Sequence, residues 1–229
     1  MIEYQNGTHL VGTELWFDAK KKVPLSFISS ADIEKFSAPE KILATPQTIK
    51  FLEKKIKKPV VLPCPYYRPF ALGNLQVELV PSGTMLGAAQ MIIDKGDKTL
   101  LYSGDINLKH LPTTDPAYTK HCDVLVLKCP YGTADYKFPN LDKSMESLIN
   151  FINDAVSDGQ TPVLLTDPVG VAQDIINELS VKEFRLSVHK TIHKYTKIYE
   201  ELGIKFGSYE LFKASEYEGS VVLFPHTEL

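Results

Sequence analysis

The sequence predicts an α/β fold, on three observations. Residues 1–128 are rich in short apolar or alternating runs separated by turn residues. From Asp123 onward such runs alternate with amphipathic helical stretches, the pattern of parallel strands joined by right-handed crossovers. The chain has 229 residues, 44% hydrophobic and 23% charged, enough to bury a substantial core.

The elements follow in order. Leu15-Trp16-Phe17, Leu25-Ser26-Phe27-Ile28, Gln76-Val77-Glu78-Leu79-Val80 and Thr99-Leu100-Leu101-Tyr102 read as strands. Asp94-Lys95-Gly96-Asp97 reads as a hairpin turn. One helix stands in this half, with Thr45 as its cap, Pro46 in its first turn and Ile49, Leu52 and Ile56 on one face. In the second half, Asp123-Val124-Leu125-Val126-Leu127 reads as a buried strand. A helix with Met145, Leu148, Ile149, Ile152 and Val156 on one stripe follows, ending near Gly159. Next come a strand from Thr161 to Leu165, a helix aligning Val171, Ile175, Ile176 and Leu179, a strand over 184–188, a helix from about His189 to Leu202, and a strand over 221–224. The expected organisation is a core over 1–130 and an α/β region over 131–229 packed on it, with one compact domain as the alternative.

Composition narrows the function. The formal net charge of −3 argues against a broadly basic nucleic-acid binder, so any phosphate-binding surface must be local. The clusters Lys20-Lys21-Lys22 and Lys54-Lys55-Ile56-Lys57-Lys58 read as a solvated turn and a solvated helix end. Cys64, Cys122 and Cys129 form no C-x-x-C pair and read as reduced thiols. No membrane span and no basic–apolar leader is seen, so the expected compartment is the cytoplasm.

A hydrolytic metal site needs three or more His, Cys or carboxylate ligands and an open position for water. The six histidines supply no such set. His189 and His193 are spaced i, i+4 but lack the Glu of H-E-x-x-H, and read as a solvated helix face. There is no Gly-rich phosphate loop and no G-x-S-x-G.

Three further segments carry a resemblance. They are Pro81-Ser82-Gly83-Thr84-Met85-Leu86-Gly87-Ala88-Ala89-Gln90, then Tyr102-Ser103-Gly104-Asp105, then Cys122-Asp123-Val124-Leu125-Val126 with Tyr131-Gly132. Their order and wording resemble the metallo-β-lactamase-fold nucleases of the RNA-processing and DNA-ligase-associated exonuclease branch. There the run P-A-G-H-x-L-G-S-A-Q precedes Y-T-G-D and C-D-V-L-V-x-E. Leu15-Trp16-Phe17-Asp18 is similar to the family's opening strand. Phe27-Ile28-Ser29-Ser30-Ala31-Asp32-Ile33-Glu34-Lys35 stands where the family has its H-x-H-x-D-H run. Gly159–Leu165 and Gly170-Val171-Ala172-Gln173 resemble the start of the β-CASP insertion. The resemblance implies a metallo-β-lactamase-type αββα sandwich with a partial β-CASP-like α/β extension.

The departures from the family define the expected site. Ser30 stands at the first His of the run, Asp32 at the second, Glu34 at the Asp and Lys35 at the last His. Thr84 replaces the later His, Asp105 keeps its identity, and Lys128 stands where the family has Glu. Hydroxyls are poor neutral ligands and an ammonium repels a divalent cation, so the family's zinc is expected to be lost. The expected role is a catalytically inactive relative that binds nucleic acid or partners an active nuclease or repair protein. The alternative is a hydrolase holding another metal on Asp32, Glu34 and Asp105. Two expectations concern the remaining charges. Asp105 by itself suits a turn-bridging carboxylate that bonds backbone amides, and Lys35 or Lys128 is expected within ion-pairing reach of Asp105, Asp32 or Glu34.

Overall fold

The computed structural model describes residues 2–32, 39–53 and 60–227. It is an α/β structure that divides into two compact units, Met1–Lys128 and Cys129–Leu229.

In the first unit, β1 (Ile2–Tyr4), β2 (Thr8–Leu10), β3 (Leu15–Phe17), β4 (Leu25–Phe27) and β5 (Lys41–Ala44) precede helix α1 (Pro46–Leu52) and β6 (Val60–Pro63). The six strands form one sheet in chain order, antiparallel from β1 to β3 and parallel from β3 to β6. A second sheet is built from β7 (Phe70–Leu72), β8 (Leu75–Pro81), β9 (Ala89–Asp94), β10 (Thr99–Tyr102) and β11 (Val124–Val126). Its strand order is β11-β10-β9-β8-β7, with only β11 parallel to its neighbour.

Alternate residues of both sheets point into one core. Leu10, Leu15, Phe17, Leu25, Phe27 and Leu43 of the first sheet meet Leu75, Val77, Leu79, Met91, Ile93, Leu100 and Tyr102 of the second. The period of two that marked these strands in the sequence is the inward face of this sandwich. Phe17 stacks on Tyr102 at 4.6 Å, and Phe27 meets both rings edge-on. Burying each such side chain contributes about 1.5–3 kcal/mol.

α1 is the one helix among the described residues of this unit. Thr45 caps it, accepting from the Thr48 amide at 3.1 Å, with Pro46 in the first turn as read from the sequence. Its buried face differs from the expected stripe: Thr48, Phe51 and Leu52 are buried, Ile49 is half-buried, and Ile56 lies outside the described residues. The outer face of the second sheet carries a smaller cluster of Val80, Ile92 and Leu101, with Cys122 against it. The irregular segment 105–122 lies over that face. The Asn107 amide donates to Ser82 O (2.9 Å), and the Tyr118 amide donates to Pro81 O (3.0 Å). The buried Gln90 amide donates to Pro81 O and Tyr118 O. Gly83 permits this close approach: its φ is +83°, and a Cβ there would lie 2.0 Å from Asn107 O and 2.5 Å from the Ala117 amide nitrogen.

β11 corrects the expectation of a buried strand over 123–127. It is a three-residue edge strand. Val124 and Val126 pack on the core, while Leu125 points to the opposite face of this edge strand and is 56% exposed.

The second unit contains α2 (Leu141–Ser157), β12 (Val163–Thr166), α3 (Val171–Val181), β13 (Leu186–Val188), α4 (Lys190–Glu201), β14 (Glu210–Leu211) and β15 (Val221–Pro225). The sheet order is β12-β15-β13-β14, all parallel, as the strand–helix alternation predicted. Ile152, Ala172, Ile176, Leu179 and Ile192 of the helices pack on Leu164, Leu186, Val188, Val221 and Leu223. Along α2 the stripe turns slightly: Ala155 is buried and Val156 exposed. His189 and His193 are not a solvated face. His189 is the N-cap of α4, its Nδ1 accepting from the Thr191 amide, and it packs on Phe224. His193 is half-buried against Tyr209, and that burial lowers its pKa. Among the described residues no helix is long and apolar enough to cross a membrane.

Candidate functional site

Residues that follow β3, β4, β10 and β11 converge at one end of the facing sheets. Asp18 follows β3 with a left-handed φ of +46°. Its carboxylate accepts from the Ser29 amide (2.8 Å), the Ser29 hydroxyl (2.6 Å) and the Tyr102 hydroxyl (2.8 Å). Enclosure by the protein pushes the Asp18 pKa up; these hydrogen bonds and the nearby Lys128 charge oppose the shift. Burial and the Asp18 charge hold the Tyr102 hydroxyl protonated, so it serves as a donor.

Asp105 and Lys128 face each other across the same end. The Ser103 hydroxyl accepts from the Lys128 amide at 3.2 Å, and the Ser103 amide donates to Val126 O. Gly104 lets this loop reach Ser29: its φ is +56°, and a Cβ there would lie 2.7 Å from the Ser29 side chain. The Lys128 ammonium donates to Asp105 Oδ2. Burial pulls the Lys128 pKa down, but the hydrogen bond and charge of Asp105, with Asp18 and Asp32 adding to them, outweigh it and leave the pKa raised. This is the ion pair anticipated for one of the two lysines. It also corrects the turn-bridging role for Asp105, which falls instead to Asn107. The Asn107 side chain donates to Gly83 O and Lys109 O and accepts from the Lys109 amide.

Two of the remaining positions, Ser30 and Thr84, are held by neighbouring side chains. Ser30 is 6% exposed; its hydroxyl donates to the Met85 sulfur at 3.3 Å and accepts from the Asp32 amide. Thr84 lies 3.5 Å, oxygen to oxygen, from the Ser82 hydroxyl. The Gly87 carbonyl next in this loop is pinned to α1 by the hydroxyls of Thr45 (2.6 Å) and Thr48 (2.9 Å). Glu34 and Lys35 lie outside the described residues.

Among the described residues, the donors at this end do not fit zinc. The Ser30 hydroxyl is committed to Met85 and Asp32, and the Asp105 carboxylate carries an ammonium. Among the described residues no group of three or more His, Cys, Asp or Glu is arranged to hold a metal ion. Sequence reasoning missed Asp18, Ser29, Tyr102 and Met85 as parts of this site. Asp18 closes the strand that the resemblance marked, and Tyr102 opens the Tyr-Ser-Gly-Asp run. Met85 carries no ligand signature and shows its role only by packing.

No family model matches this chain. It is 26% identical over 227 residues to a probable DNA ligase of Opitutus terrae, covering 98% of this chain and 22% of that protein. It is 32% identical over 117 residues to an uncharacterised protein of Synechocystis, covering 47% of this chain and 21% of that one. It is 29% identical over 105 residues to an RNase J-like protein of Methanocaldococcus jannaschii, covering 45% of this chain and 25% of that one. The chain thus spans a quarter or less of the length of these curated relatives. Among solved structures it shares its fold with a protein of unknown function from Enterococcus faecalis. The TM-score is 0.62 at 10% identity, covering 89% of this chain and 59% of that one.

Proposed function

We propose that this chain is a catalytically inactive relative of metal-dependent exonucleases of the metallo-β-lactamase fold, acting in nucleic-acid processing as a binding or partner subunit. The observation that carries the proposal is the Lys128–Asp105 ion pair. In a hydrolytic centre of that kind a carboxylate holds a metal that activates water. Here an ammonium supplies the positive charge, and it can neither lower the pKa of a bound water as a metal does nor polarise a phosphoryl oxygen as a Lewis acid. The packing of Ser30 against Met85 supports the same reading. On this view the two facing sheets are the centre of an αββα sandwich, and the second unit is a partial β-CASP-like region.

The relative aligned over nearly the whole chain favours the DNA-repair side of this reading. In that protein a region resembling this chain is joined to the rest of a probable DNA ligase. The proposed partner is therefore a ligase or another protein acting on the same DNA ends. The test is fluorescence anisotropy with labelled single-stranded DNA, nicked duplex DNA and RNA between about 50 and 200 mM salt, together with ligation of nicked DNA with and without this protein. Salt-dependent binding or a changed ligation rate is expected. Neither binding to any of the three nucleic acids nor any effect on ligation would overturn the proposal.

A further inference from the structure

Tyr131-Gly132 closes the run that carried the resemblance, and the segment that follows opens the second unit. Every residue from 129 to 144 is exposed. Within this stretch Tyr131 is 57% exposed, Tyr136 54% and Phe138 69%. The three rings pack on one another. Tyr136 and Phe138 lie nearly parallel, 11° apart, with centroids separated by 6.4 Å. Tyr131 stands steeply across both, at 5.1 Å and 64° to Tyr136 and at 5.3 Å and 75° to Phe138. The backbone around them is tied down. The Tyr136 amide donates to Thr133 O at 3.2 Å, and Asn140 caps α2, its side chain accepting from the Asp142 amide at 2.8 Å. Three rings held in solvent forgo the stabilisation that burial would give them. An apolar cluster kept on the surface in this way suits a ligand.

The separation of the two parallel rings indicates what fits. Two residues of extended chain rise about 6.4–6.8 Å, so rings at i and i+2 can face one another at that distance. Bases in a stack lie about 3.4 Å apart, so a base held between two rings needs about 6.8 Å. The 6.4 Å between Tyr136 and Phe138 is close to that value, and the difference is small enough for two exposed side chains to yield. A flat heteroaromatic ring then meets an aromatic face on each side, which an aliphatic side chain cannot do. Charge in the segment is balanced, with Lys137 and Lys143 against Asp135 and Asp142. Stacking rather than phosphate neutralisation therefore supplies most of the affinity, and base–aromatic stacking does so with little sequence preference.

We propose that Tyr136 and Phe138, with Tyr131 across them, form a slot for one unpaired nucleobase of a single strand, with Lys137 serving its phosphate. The inference rests on the nucleic-acid reading above and names where the strand is held. One lysine contact gives a shallow salt slope, about a threefold loss of affinity between about 50 and 200 mM salt.

Nuclear magnetic resonance of the aromatic rings in the full chain tests it. The probes are oligothymidylate, an abasic oligomer of the same length that keeps the phosphates, and the blocked peptide acetyl-Gly-Trp-Gly-amide. Oligothymidylate is expected to move the Tyr136 and Phe138 ring signals saturably, and the abasic oligomer to leave them in place. Tyr136→Leu and Phe138→Leu, which keep an apolar side chain but remove the ring face, should each weaken binding about tenfold. Tyr136→Phe should bind as the wild type does. Ring signals unmoved by oligothymidylate, equal shifts from the abasic oligomer, shifts from the peptide alone, or full affinity in both leucine variants would overturn the slot. Binding with unmoved rings, or an effect on ligation without binding of oligothymidylate, would remove the slot and leave the nucleic-acid reading standing. Neither nucleic-acid binding nor an effect on ligation would remove both.

Discussion

Lys128→Met removes the ammonium while keeping an apolar stem of similar reach, and so isolates the charge at the candidate site. The side chains of Lys128 and Asp105 are 48% and 34% exposed, so solvent screens the pair and it should contribute no more than about 0.2–1 kcal/mol. The variant also leaves Asp18, Asp32 and Asp105 without the cation that attracts all three. Their mutual repulsion adds to the loss, for a total of about 1 kcal/mol or slightly more. In a chain of this size that corresponds to a fall in melting temperature of about 2–4 °C. Thermal and urea unfolding of Lys128→Met, Asp105→Asn and the double variant complete the cycle. The coupling energy should be about 0.5–1 kcal/mol, should persist in Lys128→Arg, and should shrink at about 1 M salt. A coupling of zero, or a Lys128→Met variant as stable as the wild type, would refute the view that the ammonium neutralises this cluster.

Three further outcomes are expected. Zinc should give no saturable rise in melting temperature, whereas a ligand at 100 times its dissociation constant adds about 2.7 kcal/mol; a rise lost in Asp105→Ala would contradict the fit argument. Asp18 has a pKa raised above 3.8 in the folded protein, so the unfolded chain loses that proton first as pH rises. The stability it contributes is full below the unfolded value and is lost as pH rises through the folded one. The stability difference between wild type and Asp18→Asn, followed by urea unfolding, should therefore fall as pH rises from about 4; a difference that rises over that range would reverse the assigned direction. Gly83→Ala should cost at least about 2–3 kcal/mol, because the new Cβ meets the backbone of Asn107 and Ala117 at a positive φ. A melting curve like the wild type's would contradict that packing.

Much of the fold was legible because its signals are local. Alternation at Leu15–Phe17 and Gln76–Val80, the Thr45-Pro46 cap and the helical stripes beyond Met145 depend only on which face is buried. Strands β1, β2, β5, β6 and β7, and the two-residue β14, were not legible. They are short edge or near-edge strands whose pairing is set by the sheet rather than by their own pattern. Leu125 misled for the opposite reason: an apolar run read as buried lies on an uncovered edge. At the site, resemblance placed Ser30, Asp105 and Lys128 at one locus, and the structure brings Asp105 and Lys128 into contact. The sequence could not show that Met85 would pack on Ser30 or that Tyr102 would reach Asp18, 84 residues away. Those contacts exist only once the two sheets face each other.

The proposed function requires that this centre does not hydrolyse nucleic acid. The direct measurement is cleavage of end-labelled single-stranded DNA and RNA by the purified chain in Zn²⁺, Mn²⁺ and Mg²⁺, with Asp105→Ala alongside. Intact substrate is expected in every cation for both proteins. Divalent-dependent cleavage that follows the wild-type protein through purification and disappears in Asp105→Ala would contradict it.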